Sequence, residues 1–293
     1  MDLASILKVN PTQRKQFNFR AAEFTLRLGQ TTKIMGILNA TDDSFSHDGI
    51  YKQPKLAKEV ALQMSEQGAG IIDIGGESTR PGAEPVSVEE EKARVVPLIK
   101  ELIKEIKVPI SVDTTKSEVA RAALGAGASI INDISGLSFD RKMAKVIREF
   151  GAGCILMHIK GTPQTMQRNP VYESLIEEII ERLKERVAAA IAAGIDQNNI
   201  VIDPGIGFGK ITEHNLRIIK QLKDFACLNF PVLVGVSRKS FIGNVLNLDV
   251  GQRLLGGVAC CVISILNGAH IVRVHDVQAI SQVVRMVDAV LNS

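Results

Sequence analysis

Residues able to do chemistry recur in this sequence at one kind of place, the end of a short run of Ile, Val, Leu and Ala. Asn39 follows the first such run, and Asp73 closes in on the second, ahead of Gly75-Gly76-Glu77-Ser78-Thr79-Arg80. Asp113 ends the third, Asn132 and Asp133 the fourth, His158 the fifth and Asp203 the sixth. The seventh leads into Ser237, Arg238, Lys239 and Ser240, and the eighth into Arg273, His275 and Asp276. Asp113, Asn132 and Asp203 supply hydrogen-bond acceptors, and Asn132 also donates, a set that suits a flat heterocycle whose edge carries N–H groups. Lys239 can donate to a carbonyl oxygen or a ring nitrogen. Arg273 is a permanently charged planar fork that can stack on a ring or clamp a phosphate. His275, two residues on, faces the same side of an extended segment; with Asn39, these residues could hold a polyanion and its metal. The chain has no Trp, so stacking falls to Phe, Tyr or Arg, with Phe45 and Phe208 as candidates among glycines, serines and aspartates. His214 and His270 read as structural, and Asp140 as a helix cap.

Groups scattered over the chain act together only if the fold gathers them. The strand-like runs are Lys33–Leu38, Gly70–Ile74, Pro109–Val112, Ser129–Ile131, Gly153–Met157, Ile200–Ile202, Val232–Gly235 and Ala269–Val272. Their near-continuous apolar content suits strands buried on both faces of a parallel sheet. Amphipathic segments lie between them. Ser87-Val88-Glu89-Glu90 and Thr115-Lys116-Ser117-Glu118 read as capping boxes that open helices. Leu175, Ile176, Ile179, Ile180, Leu183, Val187 and Ile191 keep helical spacing up to a stop at Gly194, and Val277 to Leu291 reads as a closing helix.

Eight strands alternating with helices predict an α/β fold, a (β/α)8 TIM barrel, in which active residues gather at the C-terminal ends of the strands. A doubly wound open sheet competes, but its phosphate fingerprints are missing: Asp203-Pro204-Gly205-Ile206-Gly207-Phe208-Gly209-Lys210 is neither a dinucleotide-binding fingerprint nor a Walker A loop. Phe17 to Leu28 reads as a strand or hairpin outside the repeat. The predicted division is therefore an N-terminal extension over residues 1–32 and a single barrel over 33–293.

The chain has 293 residues, 35 Lys and Arg against 32 Asp and Glu, a net charge of +3 and 45% hydrophobic content. That balance argues against nucleic acid or anionic membrane as the main partner. The apolar run at Val258 to Leu266, broken by Ser264, is too short to span a bilayer, and the N-terminus lacks the apolar core of a signal peptide. Cys154, Cys227, Cys260 and Cys261 show no metal-site spacing and read as buried free thiols. A cytoplasmic location is expected. The small-residue segment Gly251 to Gly268 reads either as a buried helix or as a subunit contact.

In order, these segments resemble the dihydropteroate synthases. The matching stretches are Met35 to Asn39 with Asp43-Ser44-Phe45-Ser46, Asp73 to Gly82, Ser111 to Thr114, Ile131 to Gly136, Met157-His158 with Gly161 to Gln167, Asp203 to Lys210, Ser237 to Gly243 and Arg273 to Val277. The resemblance implies condensation of 6-hydroxymethyl-7,8-dihydropterin diphosphate with p-aminobenzoate, giving 7,8-dihydropteroate and pyrophosphate in folate biosynthesis. It implies that Asp113, Asn132, Asp203 and Lys239 hold the pterin edge, that Met157, Phe208 and Gly235 line the pocket, and that Arg273 stacks on the ring. Asn39 would bind Mg²⁺, and Asn39, Arg273 and His275 would contact the diphosphate. Phe45, Thr79, Arg80, Pro81, Lys239 and Ser240 would shape the p-aminobenzoate site, where sulfonamides compete. Asp48 would stand near the reacting carbon, and a homodimer is implied.

The first loop departs from the family pattern. Asp42 replaces a proline, removing a φ restraint; His47 stands where the family has its second loop aspartate, and Asp48 is displaced by one. Lys160 stands for an arginine. A methyltetrahydrofolate-dependent methyltransferase barrel is an alternative, but it needs no Ser-Thr-Arg-Pro-Gly loop, Ser-Arg-Lys-Ser loop and diphosphate clamp together. A catalytically silent barrel that binds a pterin or a partner protein is a second, supported by the altered first loop.

Overall fold

A computed structural model describes residues 14–40 and 54–293. Two antiparallel strands, β1 (Phe17–Ala21) and β2 (Phe24–Leu28), form a hairpin that precedes eight parallel strands. These are β3 (Lys33–Asn39), β4 (Ile71–Gly75), β5 (Ile110–Asp113), β6 (Ile130–Asp133), β7 (Gly153–Met157), β8 (Ile200–Asp203), β9 (Leu233–Gly235) and β10 (Ile271–Val274). Each pairs with the next, β10 pairs with both β3 and β9, and a parallel bridge from Ile202 to Val232 joins β8 to β9 and closes the ring. The helices between and after them are α1 (Pro54–Glu66), α2 (Val88–Leu102), α3 (Ser117–Gly125), α4 (Met143–Phe150), α5 (Leu175–Ala192), α6 (Thr212–Lys220), α7 (Ser240–Leu246), α8 (Leu254–Leu266) and α9 (Val277–Leu291). The molecule is the (β/α)8 barrel that the sequence predicts.

Strand residues alternate between two apolar layers, as the two-residue period demands. Outward residues such as Ile72, Ile74, Val112, Ile131, Leu156 and Ile202 pack under the helices. Inward residues near the N-terminal ends, among them Met35, Ile71, Ile130, Ile155, Val201, Leu233 and Ile271, form a second cluster with Phe19, Ala21 and Leu28 of the hairpin. The hairpin therefore plugs the barrel floor. Gly153 makes room for it: a Cβ there would lie 2.5 Å from the Phe19 ring and 3.0 Å from Ala21 Cβ. Phe19→Ala is expected to cost about 3–5 kcal/mol through the cavity it leaves. A lowered urea midpoint with an unchanged slope checks this; an unmoved midpoint would show that the plug is dispensable.

Several local expectations need adjusting. Strands β5, β6 and β8 end at Asp113, Asp133 and Asp203, one or two residues later than their apolar runs, because pairing with neighbours carries the ladder past the last hydrophobic residue. Ser87 does cap α2, its Oγ accepting from Glu90 N at 3.1 Å. Thr115 does not cap α3: Lys116 stands at that cap position with its side chain making no bond to the helix's first turn, and Asp140 reaches across to accept from Ser117 N at 2.8 Å. Ile191 is exposed, while its neighbour Ala190 takes the buried position in the last turn of α5. All four cysteines are free, but only Cys154 and Cys261 are buried; Cys227 is exposed on a surface turn and Cys260 is half-buried.

Candidate active site

The strand register sets the polar residues side by side around the barrel's C-terminal rim. Asn39 lies opposite Gly75, Gly75 opposite Asp113 and Asp113 opposite Asn132. Further round, Met157 is opposite Asp203 and Gly235 opposite Arg273. Two residues after four of the apolar floor residues the inward face turns polar: Ile71 gives way to Asp73, Ile130 to Asn132, Val201 to Asp203 and Ile271 to Arg273.

Arg273 is the hub of this layer. Its Nε donates to Asp73 Oδ2 at 2.6 Å and its Nη2 to Asp113 Oδ2 at 2.9 Å, while Asn132 Nδ2 donates to the same Asp73 oxygen at 3.2 Å. Asp73 was visible in the sequence as the polar residue of the second run but not as a partner of the clamp; its signal is a lone charge two residues after Ile71, on the inward face of an otherwise apolar strand. Asp73 is 0% exposed and Asp113 6%. Among the described residues, Asp73 Oδ1 and Asp113 Oδ1 are buried acceptors without a hydrogen-bond partner. Buried carboxylate oxygens are normally satisfied, so these two can receive N–H donors from a bound molecule. Burial pushes the Asp113 carboxyl above the usual range, the Arg273 guanidinium opposes this, and neighbouring Asp73 adds to the rise.

Asp203 and Lys239 form the opposite wall. Asp203 Oδ1 accepts from Gly205 N at 2.7 Å, and burial raises its pKa against the pull of Lys239. Only glycine fits at 205: φ is +71°, and a Cβ would lie 1.9 Å from His158 O. The Lys239 ammonium donates to Ile206 O and sits 4.8 Å from the centre of the Phe208 ring. Burial lowers its pKa to about 8, with Asp203 holding it up. Below this loop lies a residue the sequence reading did not single out. Lys210 is 2% exposed, with its Nζ 2.9 Å from His158 Nδ1 and donating to Phe208 O at 2.9 Å, and it fastens the loop that carries Phe208. A Lys two residues after a positioned Phe carries no periodic signal, which is why it was missed.

His275 stands at the edge of the mouth with its Nδ1 3.0 Å from Ser237 Oγ. Burial, together with Arg238, Arg273, Arg80 and Lys239 around it, lowers its pKa to about 3, so the ring is neutral in a cationic neighbourhood. Thr79, Arg80 and Pro81 lie in the loop between β4 and α2, with Thr79 and Arg80 half-buried and Pro81 exposed. Ser240, exposed, is the first residue of α7, beside Lys239. Phe45 and Asp48, with Asp42, Asp43 and His47, lie outside the described residues. His270 is structural: its Nδ1 accepts from Val232 N at 3.1 Å. The described residues contain no group of three His, Cys, Asp or Glu that could hold a metal.

Asn39, Asp73, Asp113, Asn132, Met157, Asp203, Gly235, Lys239, Arg273 and His275 thus share one opening. It offers carboxylate acceptors and the amides of Asn39 and Asn132, a cation over an aromatic ring on one side, and a cationic edge. Such a cavity suits a planar, N–H-bearing ring joined to an anionic leaving group.

Residues 35–275 match the pterin binding enzyme family. A dihydropteroate synthase of Synechocystis sp. is 48% identical over 262 residues, which cover 89% of this chain and 91% of the relative. A Yersinia pestis dihydropteroate synthase solved in a sulfonamide drug complex superposes with a TM-score of 0.90 at 40% identity, over 94% of this chain and 99% of that one. A Xanthomonas albilineans dihydropteroate synthase solved with 4-aminobenzoic acid superposes with a TM-score of 0.88 at 38% identity, over 95% of this chain and 100% of that one.

Proposed function

The chain belongs to the pterin binding enzyme family, among its dihydropteroate synthases, and from that premise we propose which of its residues carry the reaction. The enzyme condenses 6-hydroxymethyl-7,8-dihydropterin diphosphate with p-aminobenzoate in folate biosynthesis, and sulfonamides target this site. In our reading Asp113, Asn132 and Asp203 accept from or donate to the pterin edge, Lys239 donates to it, and Met157, Phe208 and Gly235 line the ring's slot. The single observation that supports this most is the orphaned Asp113 Oδ1, a buried acceptor waiting beside Asn132.

The C–O bond of the pterin methylene breaks with its electron pair leaving on pyrophosphate. The amine nitrogen of p-aminobenzoate forms the new C–N bond and then loses a proton. The electron-rich pterin spreads positive charge from the methylene, so no covalent nucleophile is required. The protein's task is to stabilise the departing charge and align the amine. Arg273 and a neutral His275 would face the diphosphate, with Arg273 also against the ring, and Thr79, Arg80, Pro81, Lys239 and Ser240 would shape the amine's site. Phe45 would add a ring to the amine's site and Asp48 would stand near the reacting carbon, as the resemblance implies.

Mg²⁺ fits this donor set. The Asn39 side chain supplies one amide oxygen, a hard donor of the kind this cation takes, and diphosphate and water would supply the remaining ligands. When bound, it would neutralise charge on the leaving group.

We also propose that residues 1–32 form an extension to one barrel domain over 33–293, and that the enzyme works in the cytoplasm as a homodimer. No described helix is long and apolar enough to cross a membrane. The dimer reading is supported by the apolar side chains that α8 and α9 leave outside, Leu255 at 80% exposure, Met286 at 65% and Val290 at 61%. Exposed apolar side chains on these two helices would be covered by a second copy.

Pyrophosphate release with both substrates, and with each alone, tests the assignment. Release should need both, and Asp203→Ala should lose about 100-fold in kcat/KM by leaving pterin donors unpaired. Near-normal turnover in that variant would remove Asp203 from the site.

A further inference from the structure

The loop that carries Thr79, Arg80 and Pro81 is fastened at its base by one lysine from a different strand's loop. Lys116 follows β5 by three residues, at the cap of α3. Its Nζ donates to Glu77 Oε2 at 2.5 Å, to Glu91 Oε2 at 2.6 Å and to Val86 O at 2.8 Å. Glu77 Oε2 in turn accepts from Val86 N at 2.9 Å. The two ends of the segment from Glu77 to Val86 are thus closed on each other through a single ammonium. Arg94 of α2 adds a bond to Gly76 O at 2.9 Å, just before the segment begins. At the far end, Gly82 N donates to Pro163 O at 3.0 Å and Gln164 Nε2 to Ala83 O at 3.2 Å. Thr79, Arg80 and Pro81 hang between these two fixed points.

The arrangement is more than surface pairing. Glu91 is 1% exposed, and Lys116 supplies the charge that a buried carboxylate requires. Although burial works against the charge on Lys116, Glu77 and Glu91 hold its pKa above the ordinary lysine value. The ammonium is therefore a permanent tie. It also joins the two halves of the mouth, because the backbone that carries it is the continuation of the strand that ends in Asp113.

We infer that Lys116 and Glu77 are positioning residues for p-aminobenzoate: they hold the stem of the 77–86 loop so that Thr79 and Arg80 meet the second substrate. This rests on the reading that the loop serves the p-aminobenzoate site. Neither residue touches the pterin wall, so the loss should be selective.

Steady-state kinetics of the full chain with both substrates test this. Glu77→Ala leaves the Lys116–Glu91 pair intact. It should raise KM for p-aminobenzoate about tenfold, the scale of one lost charge-assisted contact. KM for the pterin diphosphate and kcat at saturating p-aminobenzoate should stay within about twofold, a split that general destabilisation does not produce. Lys116→Met should act in the same direction and Lys116→Arg should recover most of the loss; if Lys116→Met does not fold, Glu77→Ala decides. A Thr79→Val control separates the two levels of the inference. If Thr79→Val raises KM for p-aminobenzoate while Glu77→Ala leaves it unchanged, the positioning role is wrong and the loop assignment stands. If neither variant moves it, the loop assignment itself fails. Equal losses for both substrates in Glu77→Ala would also overturn the positioning role.

Discussion

Arg273→Leu should reduce kcat/KM for the pterin diphosphate by about 1,000-fold or more and destabilise the fold by about 3–5 kcal/mol. The kinetic loss follows from removing a cation at the developing leaving-group charge, where a single preorganised donor is worth about 100- to 1,000-fold. The stability loss has a separate cause. Arg273 is bonded to Asp73 and Asp113, both buried, and removing one partner of a buried ion pair leaves uncompensated charge in a poor dielectric. The two effects can be divided. Asp73→Asn in the Arg273→Leu background should restore much of the urea midpoint and none of the turnover. The pH dependence has a definite sign as well. Burial already raises the Asp113 pKa against the pull of Arg273, so without the guanidinium the folded Asp113 carboxyl binds its proton still more tightly than the unfolded one. The native state then holds more protons, and stability falls as pH rises from the unfolded aspartate value of about 4. A variant whose stability improved with rising pH over that interval would show that the Asp113 carboxylate does not depend on Arg273.

Lys239→Met should cost about 100-fold in kcat/KM, about 2.7 kcal/mol, by removing a charged donor from a buried wall. Methionine keeps much of the stem's bulk, so the slot beside Gly207 and Gly235 stays filled. The informative readout is the pH profile. Burial lowers the Lys239 pKa to about 8, so its positive charge is complete below that pH and lost above it. In the unsubstituted enzyme kcat/KM for the pterin substrate should therefore decline above about pH 8, since this parameter reports the free enzyme's ionisations. In Lys239→Met that alkaline limb should vanish. On the acid side, Asp113 must be ionised to accept ring N–H donors, and burial places its titration above the ordinary carboxylate range. Activity should fall at a higher pH than a solvated aspartate would dictate. An alkaline limb that persists in Lys239→Met belongs to another group.

Much of the architecture was legible in the sequence because a parallel barrel writes itself in a repeated form. Runs such as Ile71-Ile72 and Ile200-Val201-Ile202 are apolar on both faces, since one face meets the barrel interior and the other the helices. The polar residue that follows each run marks the catalytic end. What period and composition could not convey was how far each ladder continues. Asp113, Asp133 and Asp203 belong to the strands because neighbouring backbones still pair with them, and pairing is a tertiary fact. The same distinction separates Ser87, which caps its own helix, from Ser117, whose amide is capped by Asp140 from another loop.

The site divides along similar lines. Asp113, Asn132, Asp203, Lys239, Arg273 and His275 were visible because strand ends aimed at one rim leave few alternatives for polar side chains. Asp73 was harder, since it reads as part of an apolar run; only counting two residues from Ile71 places it inward. Lys116 and Lys210 were invisible as partners, because Glu77, Glu91 and His158 come from elements far away in sequence. Their contacts exist only after the loops have converged. The supporting residues of a barrel mouth are therefore read from the fold, while the polar residues at its rim are foreshadowed by position along each strand.

The central claim is that the inward polar layer at the ends of β5, β6, β8 and β10 grips the pterin. A crystal structure of the chain bound to 7,8-dihydropteroate tests it most directly. The account predicts the pterin edge within hydrogen-bond distance of Asp113 Oδ1, Asn132 and Asp203, with Lys239 on the same ring and Arg273 against it. A pterin seated outside the barrel mouth, or one inside it that leaves Asp113 Oδ1 and Asp203 unpaired, would contradict it.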